Sequence, residues 1–212
     1  GLTETAGAIT ILMPEDHDPK KGKLRSCGKA LNSVEIKVVD DEGNEVKTGE
    51  IGEVISKSPL NMKGYWNRPD ATEEAIKEGW FYSGDAGFFD DEGYLYIHDR
   101  VKDMIVSGGE NIYPAEVENA LMSHPEIVDA AVIGVPDEKW GESVKGFVVL
   151  QPDSSLDETE IISYTRTQIA GYKCPKTINF IEALPRNPSG KILRRELREP
   201  FWEGKDRMVS GN

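Results

Sequence analysis

The side chains able to do chemistry are concentrated between Trp80 and Glu118. Ser83-Gly84-Asp85 follows the aromatic run Trp80-Phe81-Tyr82. Gly84 can take backbone geometry that a Cβ forbids, which lets Asp85 project from a turn into a cleft. A carboxylate there accepts two hydroxyl hydrogen bonds, as a ribose diol requires. Read alone, an Asp in a Gly turn more often bonds its own backbone. Arg100 and Lys102 sit in a charged joint, Asp99-Arg100-Val101-Lys102-Asp103, where spacing alone makes Arg100 a surface ion-pair residue. Gly108-Gly109, between Met104-Ile105-Val106 and Ile112-Tyr113, predicts a hairpin turn. Far downstream, Lys191 ends the polar run Pro185-Arg186-Asn187-Pro188-Ser189-Gly190-Lys191, ahead of Arg194, Arg195 and Arg198. By itself it reads as a solvated lysine heading a basic helix.

The elements that must position these residues follow from periodicity. Val34-Glu35-Ile36-Lys37-Val38 alternates, which predicts a strand with one buried face, and Gly52 to Ser56 predicts its return. Val38-Val39-Asp40-Asp41-Glu42-Gly43 is echoed by Phe88-Phe89-Asp90-Asp91-Glu92-Gly93, two hairpins of three to five loop residues closed by a glycine at positive φ. The acidic turns lack the alternating ligands and distal Glu of a calcium loop. Short helices are predicted over Asp70–Lys77 and over Pro114–Ser123, the latter with Pro in its first turn. Val128–Val135, the wholly apolar Gly146–Leu150 and Ile178–Ile181 predict three strands, Gly146–Leu150 at the centre. Asp157 to Ile169 opens as Asp-x-x-Glu, a capping box, and a last helix is expected over Leu193–Glu199. Residues 1 to about 30 read as irregular.

The fold class is therefore α+β: a strand-rich module over residues 1–99, a charged joint at 100–103, and a small α+β domain with a three-stranded sheet over 104–212. Composition sets outer limits. With 38% hydrophobic and 30% charged residues the chain resembles an ordinary soluble one. A net charge of -13 argues against nucleic acid and against an anionic membrane surface. Cys27 and Cys174 are far apart and read as packing residues of a reducing compartment, so a cytoplasmic location is expected. Three scattered histidines, His17, His98 and His124, do not make a zinc motif.

Taken together, Gly84-Asp85, Asp99-Arg100-Val101-Lys102-Asp103 and Ser107-Gly108-Gly109-Glu110-Asn111-Ile112-Tyr113-Pro114-Ala115-Glu116-Val117-Glu118 resemble the adenylate-forming superfamily, in its acyl-CoA synthetase branch. Gly1-Leu2-Thr3-Glu4 resembles the end of that family's Tyr-Gly-x-Thr-Glu motif, and Pro185–Lys191 its C-terminal lysine motif. The order of four motifs over nearly the whole chain carries the resemblance. It implies that the strand-rich module is a distorted barrel and that the second domain is a mobile α+β lid. It also implies the C-terminal portion of a longer enzyme whose upstream N-terminal domain holds the phosphate loop and most of the acyl pocket, so this portion alone is expected to be inactive or nearly so.

The resemblance also implies a reaction: a carboxylic acid attacks the α-phosphate of ATP, and a thiol, normally that of CoA, then takes the acyl group from the adenylate, leaving AMP. Lys191 would bridge carboxylate and α-phosphate. Thr3 and Glu4 would contact phosphate, with Glu4 on Mg²⁺. Asp85 and Arg100 would hold the ribose, and Tyr82 would lie near the adenine or acyl pocket. Lys102 would be the hinge about which the second domain swings, removing Lys191 and bringing Gly108 and Gly109 to the path of the thiol. The implied partners are the acid, ATP, CoA and the upstream domain, with a homodimer compatible. The wording of the hinge favours acids that are fatty or otherwise hydrophobic, with aryl acids as a close alternative. Peptide-synthetase adenylation domains, whose hinge reads Gly-Arg-x-Asp with a following Lys-x-Arg-Gly, and luciferase-type oxidases are rivals; an isolated non-catalytic lid is a rival of another class. Phe201 and Trp202 are expected to dock on the other domain, with a membrane surface as the alternative that the net charge disfavours.

Overall fold

A computed structural model describes residues 1–204. Two compact units divide the chain, Gly1–Val101 and the part from Lys102 onward.

In the first unit, a two-stranded ribbon pairs β1 (Thr10–Ile11) with β2 (Lys29–Ala30), with short 3-10 turns before and between them. Its main sheet holds β3 (Glu35–Val39) and β4 (Gly52–Lys57), then helix α1 (Pro69–Ala75), β5 (Ile76–Lys77), β6 (Trp80–Phe89) and β7 (Leu95–Arg100). The order is β3-β4-β6-β5, with β7 also on β6. The helix expected to run to Lys77 stops at Ala75, because Ile76 and Lys77 pair with Phe81 and Trp80 instead. Both acidic hairpins form, and they are built alike. Asp40 accepts the backbone N–H groups of Glu42 and Asn44, and Asp90 those of Glu92 and Tyr94. Gly43 and Gly93 sit at φ 85° and 78°. The Asp carboxylates thus serve their own turns. Val38, Val54 and Leu95 form the core between them.

The second unit opens with a hairpin, β8 (Ile105–Ser107) and β9 (Glu110–Ile112), followed by helix α2 (Pro114–Met122). A long hairpin follows, β10 (Ile127–Asp137) with β11 (Gly141–Leu150). Helix α3 (Glu158–Gln168), strand β12 (Thr177–Phe180) and helix α4 (Arg194–Trp202) complete it. The three expected strands form the centre of the sheet, with β11 between β10 and parallel β12, and a single pair, Gly141 with Ser107, extends it to five strands through β8 and β9.

β10 is apolar on both faces because both are covered. Ala130 and Val132 join Val117 and Leu121 of α2 and Ile161 of α3. Ala131 and Ile133 on the opposite face join Phe147, with Leu197 and Phe201 of α4 against them. The expected docking of Phe201 and Trp202 elsewhere is corrected by this packing. Phe201 lies edge-on to Phe147 at 6.3 Å between centroids, and the Trp202 indole N–H donates to the Gly134 carbonyl at 3.0 Å. The far face of the sheet needs a lid, and α4 is that lid.

Candidate functional site

Asp85 does not sit in a free turn. It lies inside the continuous strand β6, at a bulge. Ile55 pairs with Tyr82, but Glu53 pairs with Ala86, so β6 carries two more residues than β4 across this step. The extra length is absorbed by Gly84 at φ 71°. Polar groups take up the freed backbone. The Ser83 hydroxyl donates to the Val54 carbonyl at 2.6 Å and accepts the Asp85 N–H at 3.1 Å, and the Glu53 carboxylate accepts the Gly84 N–H at 2.8 Å. Burial raises the Glu53 carboxyl above its ordinary value, against the pull of the Gly84 N–H and Lys77. Asp85 is the register partner of Arg100, and Arg100 Nε lies 3.1 Å from Asp85 Oδ1. The pair is asymmetric: the Asp85 side chain is 21% exposed, that of Arg100 57%. Tyr82 is half-buried, with Lys77 Nζ 4.7 Å above its ring.

At the start of the chain Thr3 and Glu4 lie in an ordered 3-10 turn rather than a frayed end. Buried Thr5 staples it, accepting the Leu2 N–H and bonding the carbonyls of Leu2 and Gly7. Thr3 is exposed, and Glu4 accepts the Tyr65 hydroxyl at 3.0 Å. Burial first and the hydrogen bond to Glu4 second raise the Tyr65 phenol above its ordinary value. Among the described residues, no three His, Cys, Asp or Glu side chains converge as a metal cage. A hard cation at Glu4 would therefore complete its shell with water and phosphate oxygens, which suits magnesium.

In the second unit, Lys102 is exposed within the 3-10 turn Val101–Asp103. Gly108 and Gly109, at φ 62° and 87°, make the expected two-residue hairpin turn. Against it lies a residue that the sequence did not single out. The Gly108 N–H donates to the Trp140 carbonyl at 2.8 Å, and a Cβ at Gly108 would meet the Trp140 ring at 2.7 Å. Trp140 is 42% exposed, and Lys139 and Lys176 place their ammonium groups 4.5 and 5.4 Å from its ring. An unusual tryptophan in the polar turn Asp137-Glu138-Lys139-Trp140 was the available signal.

Lys191, expected on a flexible loop, is on a small closed hairpin. Arg186 bridges Ile192, the Asn187 N–H donates to the Lys191 carbonyl at 2.9 Å, and Leu193 donates to Pro185 at 2.8 Å. The Asn187 carboxamide oxygen accepts the N–H groups of Ser189 and Lys191. Asn187 closes the turn in the manner of an Asx residue, leaving the Lys191 side chain exposed at its end. Thr3, Glu4, Tyr82, Asp85 and Arg100 thus belong to the first unit, and Lys102, Gly108, Gly109 and Lys191 to the second.

Two family models match the chain in order. Residues 1–66 match the AMP-binding enzyme model and residues 116–191 that of the AMP-binding enzyme C-terminal domain. The chain belongs to the AMP-binding enzyme family. A fatty acid–[acyl-carrier-protein] ligase from Streptomyces coeruleorubidus is 45% identical over 99% of the chain and 40% of its own length. A long-chain-fatty-acid–CoA ligase from Mycobacterium tuberculosis is 49% identical over 94% of the chain and 39% of its own length. The o-succinylbenzoate CoA synthetase of Bacillus subtilis, solved in complex with its acyl-adenylate intermediate, superposes with a TM-score of 0.84 at 44% identity, over 93% of the chain and 40% of the synthetase. A second structure of that synthetase holds ATP and a magnesium ion, with a TM-score of 0.83 at 43% identity over the same shares of the two chains. The chain therefore spans about 40% of the length of these relatives.

Proposed function

We propose that this chain is the nucleotide-holding and mobile C-terminal part of an AMP-forming acid–thiol ligase acting on fatty or other hydrophobic acids, with CoA as acceptor. The carrying observation is the Asp85–Arg100 pair, fixed by register at the end of β7, directly before the joint that bears Lys102. An Asp held by a bulge keeps its orientation when ligand arrives, so its carboxylate is ready for the two ribose hydroxyls without reorganisation. Arg100, more exposed than its partner, keeps donors for a phosphate or ribose oxygen.

The first half-reaction brings a carboxylate against a polyphosphate, so cations in fixed places supply most of what is needed. Lys191, on its closed hairpin, supplies an ammonium group between acid and α-phosphate. Glu4, oriented by Tyr65, is the carboxylate for magnesium, whose charge offsets that of the phosphates. For the second half-reaction the Gly108-Gly109 turn offers close backbone approach. Trp140 with Lys139 and Lys176 offers a flat face and positive charge to the nucleotide end of CoA. The hydrophobic-acid reading is supported by the two fatty-acid ligases, and the aryl alternative by the succinylbenzoate synthetase.

The test is carboxylate-dependent exchange of pyrophosphate into ATP by the polypeptide in which an AMP-binding N-terminal domain precedes this chain. Acids run from acetate through long-chain to aryl. Exchange confined to long-chain acids is the expected result, and exchange confined to aryl acids selects the alternative. A folded, ATP-binding protein silent with every acid would overturn the ligase reading.

A further inference from the structure

Four charged side chains lie together where the second unit begins. Arg198 Nη2 is 2.8 Å from Asp103 Oδ1, and Arg194 Nη1 is 3.8 Å from Asp103 Oδ2. Arg194 also reaches Glu118 with two nitrogens, Nη2 2.7 Å from Oε2 and Nε 3.3 Å from Oε1, the fork of a guanidinium on a carboxylate. Glu118 Oε1 further accepts the Val132 N–H of β10 at 2.8 Å. The four side chains are 13 to 21% exposed, so solvent and salt screen them little.

Their places in the chain matter more than their strength. Asp103 directly follows Lys102. Arg194 follows the extended segment Lys191-Ile192-Leu193 and starts α4. On the other side of the lysine hairpin Arg186 holds the Gly190 carbonyl and Asp129 of β10, each at 2.6 Å. The hairpin is therefore gripped at both ends, by Arg186 to β10 and by Arg194 to α2 and to the residue after Lys102. Largely buried ion pairs seldom add more stability than apolar side chains of the same volume. What they supply is direction, since each fork fixes a distance and an orientation.

We infer that Asp103, Glu118, Arg194 and Arg198 are positioning residues: a clamp that ties the Lys191 hairpin to the residue directly after Lys102, so that rotation at Lys102 carries Lys191 as part of a rigid body. This rests on the role proposed for Lys191 above. Loosening the clamp blurs where Lys191 arrives, and adenylation, which depends on it, suffers more than thiolysis.

Two measurements on Asp103→Asn and Arg194→Lys test this; the second keeps the charge and loses the fork on Glu118, so one variant remains if the other fails to fold. In the 212-residue chain, amide hydrogen exchange at Asn187 and Lys191 is expected to rise about tenfold, with Ile133 and Val148 in the central sheet unchanged. In the polypeptide carrying the N-terminal domain, kcat for pyrophosphate exchange is expected to fall roughly 10- to 100-fold with KM for ATP within about threefold, while thiolysis of supplied acyl-adenylate falls less than about threefold. Hairpin exchange that does not respond, exchange that rises uniformly across the unit, or equal loss of both half-reactions would each overturn the clamp. A parent enzyme that adenylates no acid, beside a hairpin that does respond, identifies the role of Lys191 as the failed step and withdraws the catalytic purpose of the clamp with it.

Discussion

Glu53 shows how a single side chain couples the geometry of the site to pH. It holds the Gly84 N–H that shapes the bulge under Asp85, and burial raises its carboxyl above the ordinary value of 4.5. A carboxyl whose folded pKa is raised binds its proton more tightly in the folded state. Its contribution to stability is complete below the unfolded pKa and is lost as pH rises through the folded pKa. Once the pH has risen through the folded pKa, the native chain bears a desolvated charge. Glu53→Gln keeps an acceptor for Gly84 and removes that charge, so it is expected to be at least as stable as the native chain at neutral pH. Its advantage should shrink as pH falls towards 4.5, measured by urea unfolding across that range. A loss above about 1 kcal/mol at neutral pH would mean that the charged form of the Gly84 hydrogen bond outweighs the burial. The glycine pair gives a second prediction at this scale. Both residues are left-handed, so alanine costs about 1 kcal/mol of strain at either position. A Cβ at Gly109 meets nothing within 4 Å, whereas one at Gly108 meets Trp140 at 2.7 Å. Gly108→Ala should thus lower the melting temperature more than Gly109→Ala. Only the former should shift Trp140 fluorescence.

Among the elements, α3 is the one whose start was fully legible. Asp157 accepts the Glu160 N–H at 2.9 Å and Glu160 returns the bond to the Asp157 N–H at 3.0 Å, as Asp-x-x-Glu predicts. Asp157→Ala should lower the unfolding free energy by about 1 kcal/mol with no effect on the pairing of β10 and β11, measured by denaturant titration with exchange at Ile133 as the control. The central strand β11, the twin hairpins closed at Gly43 and Gly93, and the Gly108-Gly109 turn were legible for the same reason: each is a local pattern with one low-energy solution. The bulge at Asp85 was not, because its cause lies across the sheet, in the register of β4 against β6. Neither was the destination of Phe201 and Trp202. An amphipathic terminal helix declares that it has an apolar face but not which surface receives it. Here the uncovered face of β10 and β11, with Ala131, Ile133 and Phe147, takes it. The candidate site divides differently: type and spacing alone gave Asp85, Arg100 and the glycine pair turn and ion-pair roles, and only the resemblance of the combined motifs singled them out, whereas Glu53, Tyr65 and Trp140 enter through contacts between distant segments.

For the whole molecule the question is whether one chain serves two half-reactions by presenting two faces in turn. Asp85 and Arg100 lie before the division at Val101, and Lys191 and the glycine turn lie after it. The two later features are separate devices. Lys191 stands on a hairpin braced by Asn187 and Arg186, while Gly108 is braced by Trp140. If each serves one step, each step has its own point of failure. In the polypeptide that includes the N-terminal domain, Lys191→Ala removes the cation proposed above for adenylation. Pyrophosphate exchange is then expected to fall by roughly 10² to 10³, with thiolysis of supplied acyl-adenylate largely spared. Lys102→Pro acts oppositely. The pyrrolidine ring fixes φ near -65° and removes the rotation a hinge needs. The protein should then be held in one arrangement. Held for adenylation, it would still exchange pyrophosphate and would lose thiolysis. Single-turnover assays of the two steps on both variants separate these outcomes. Crossed defects, one step lost in each variant, require two arrangements of the same chain. Equal loss of both steps in each variant would mean that a single arrangement performs both, and Lys102 would then be only a surface lysine in a 3-10 turn.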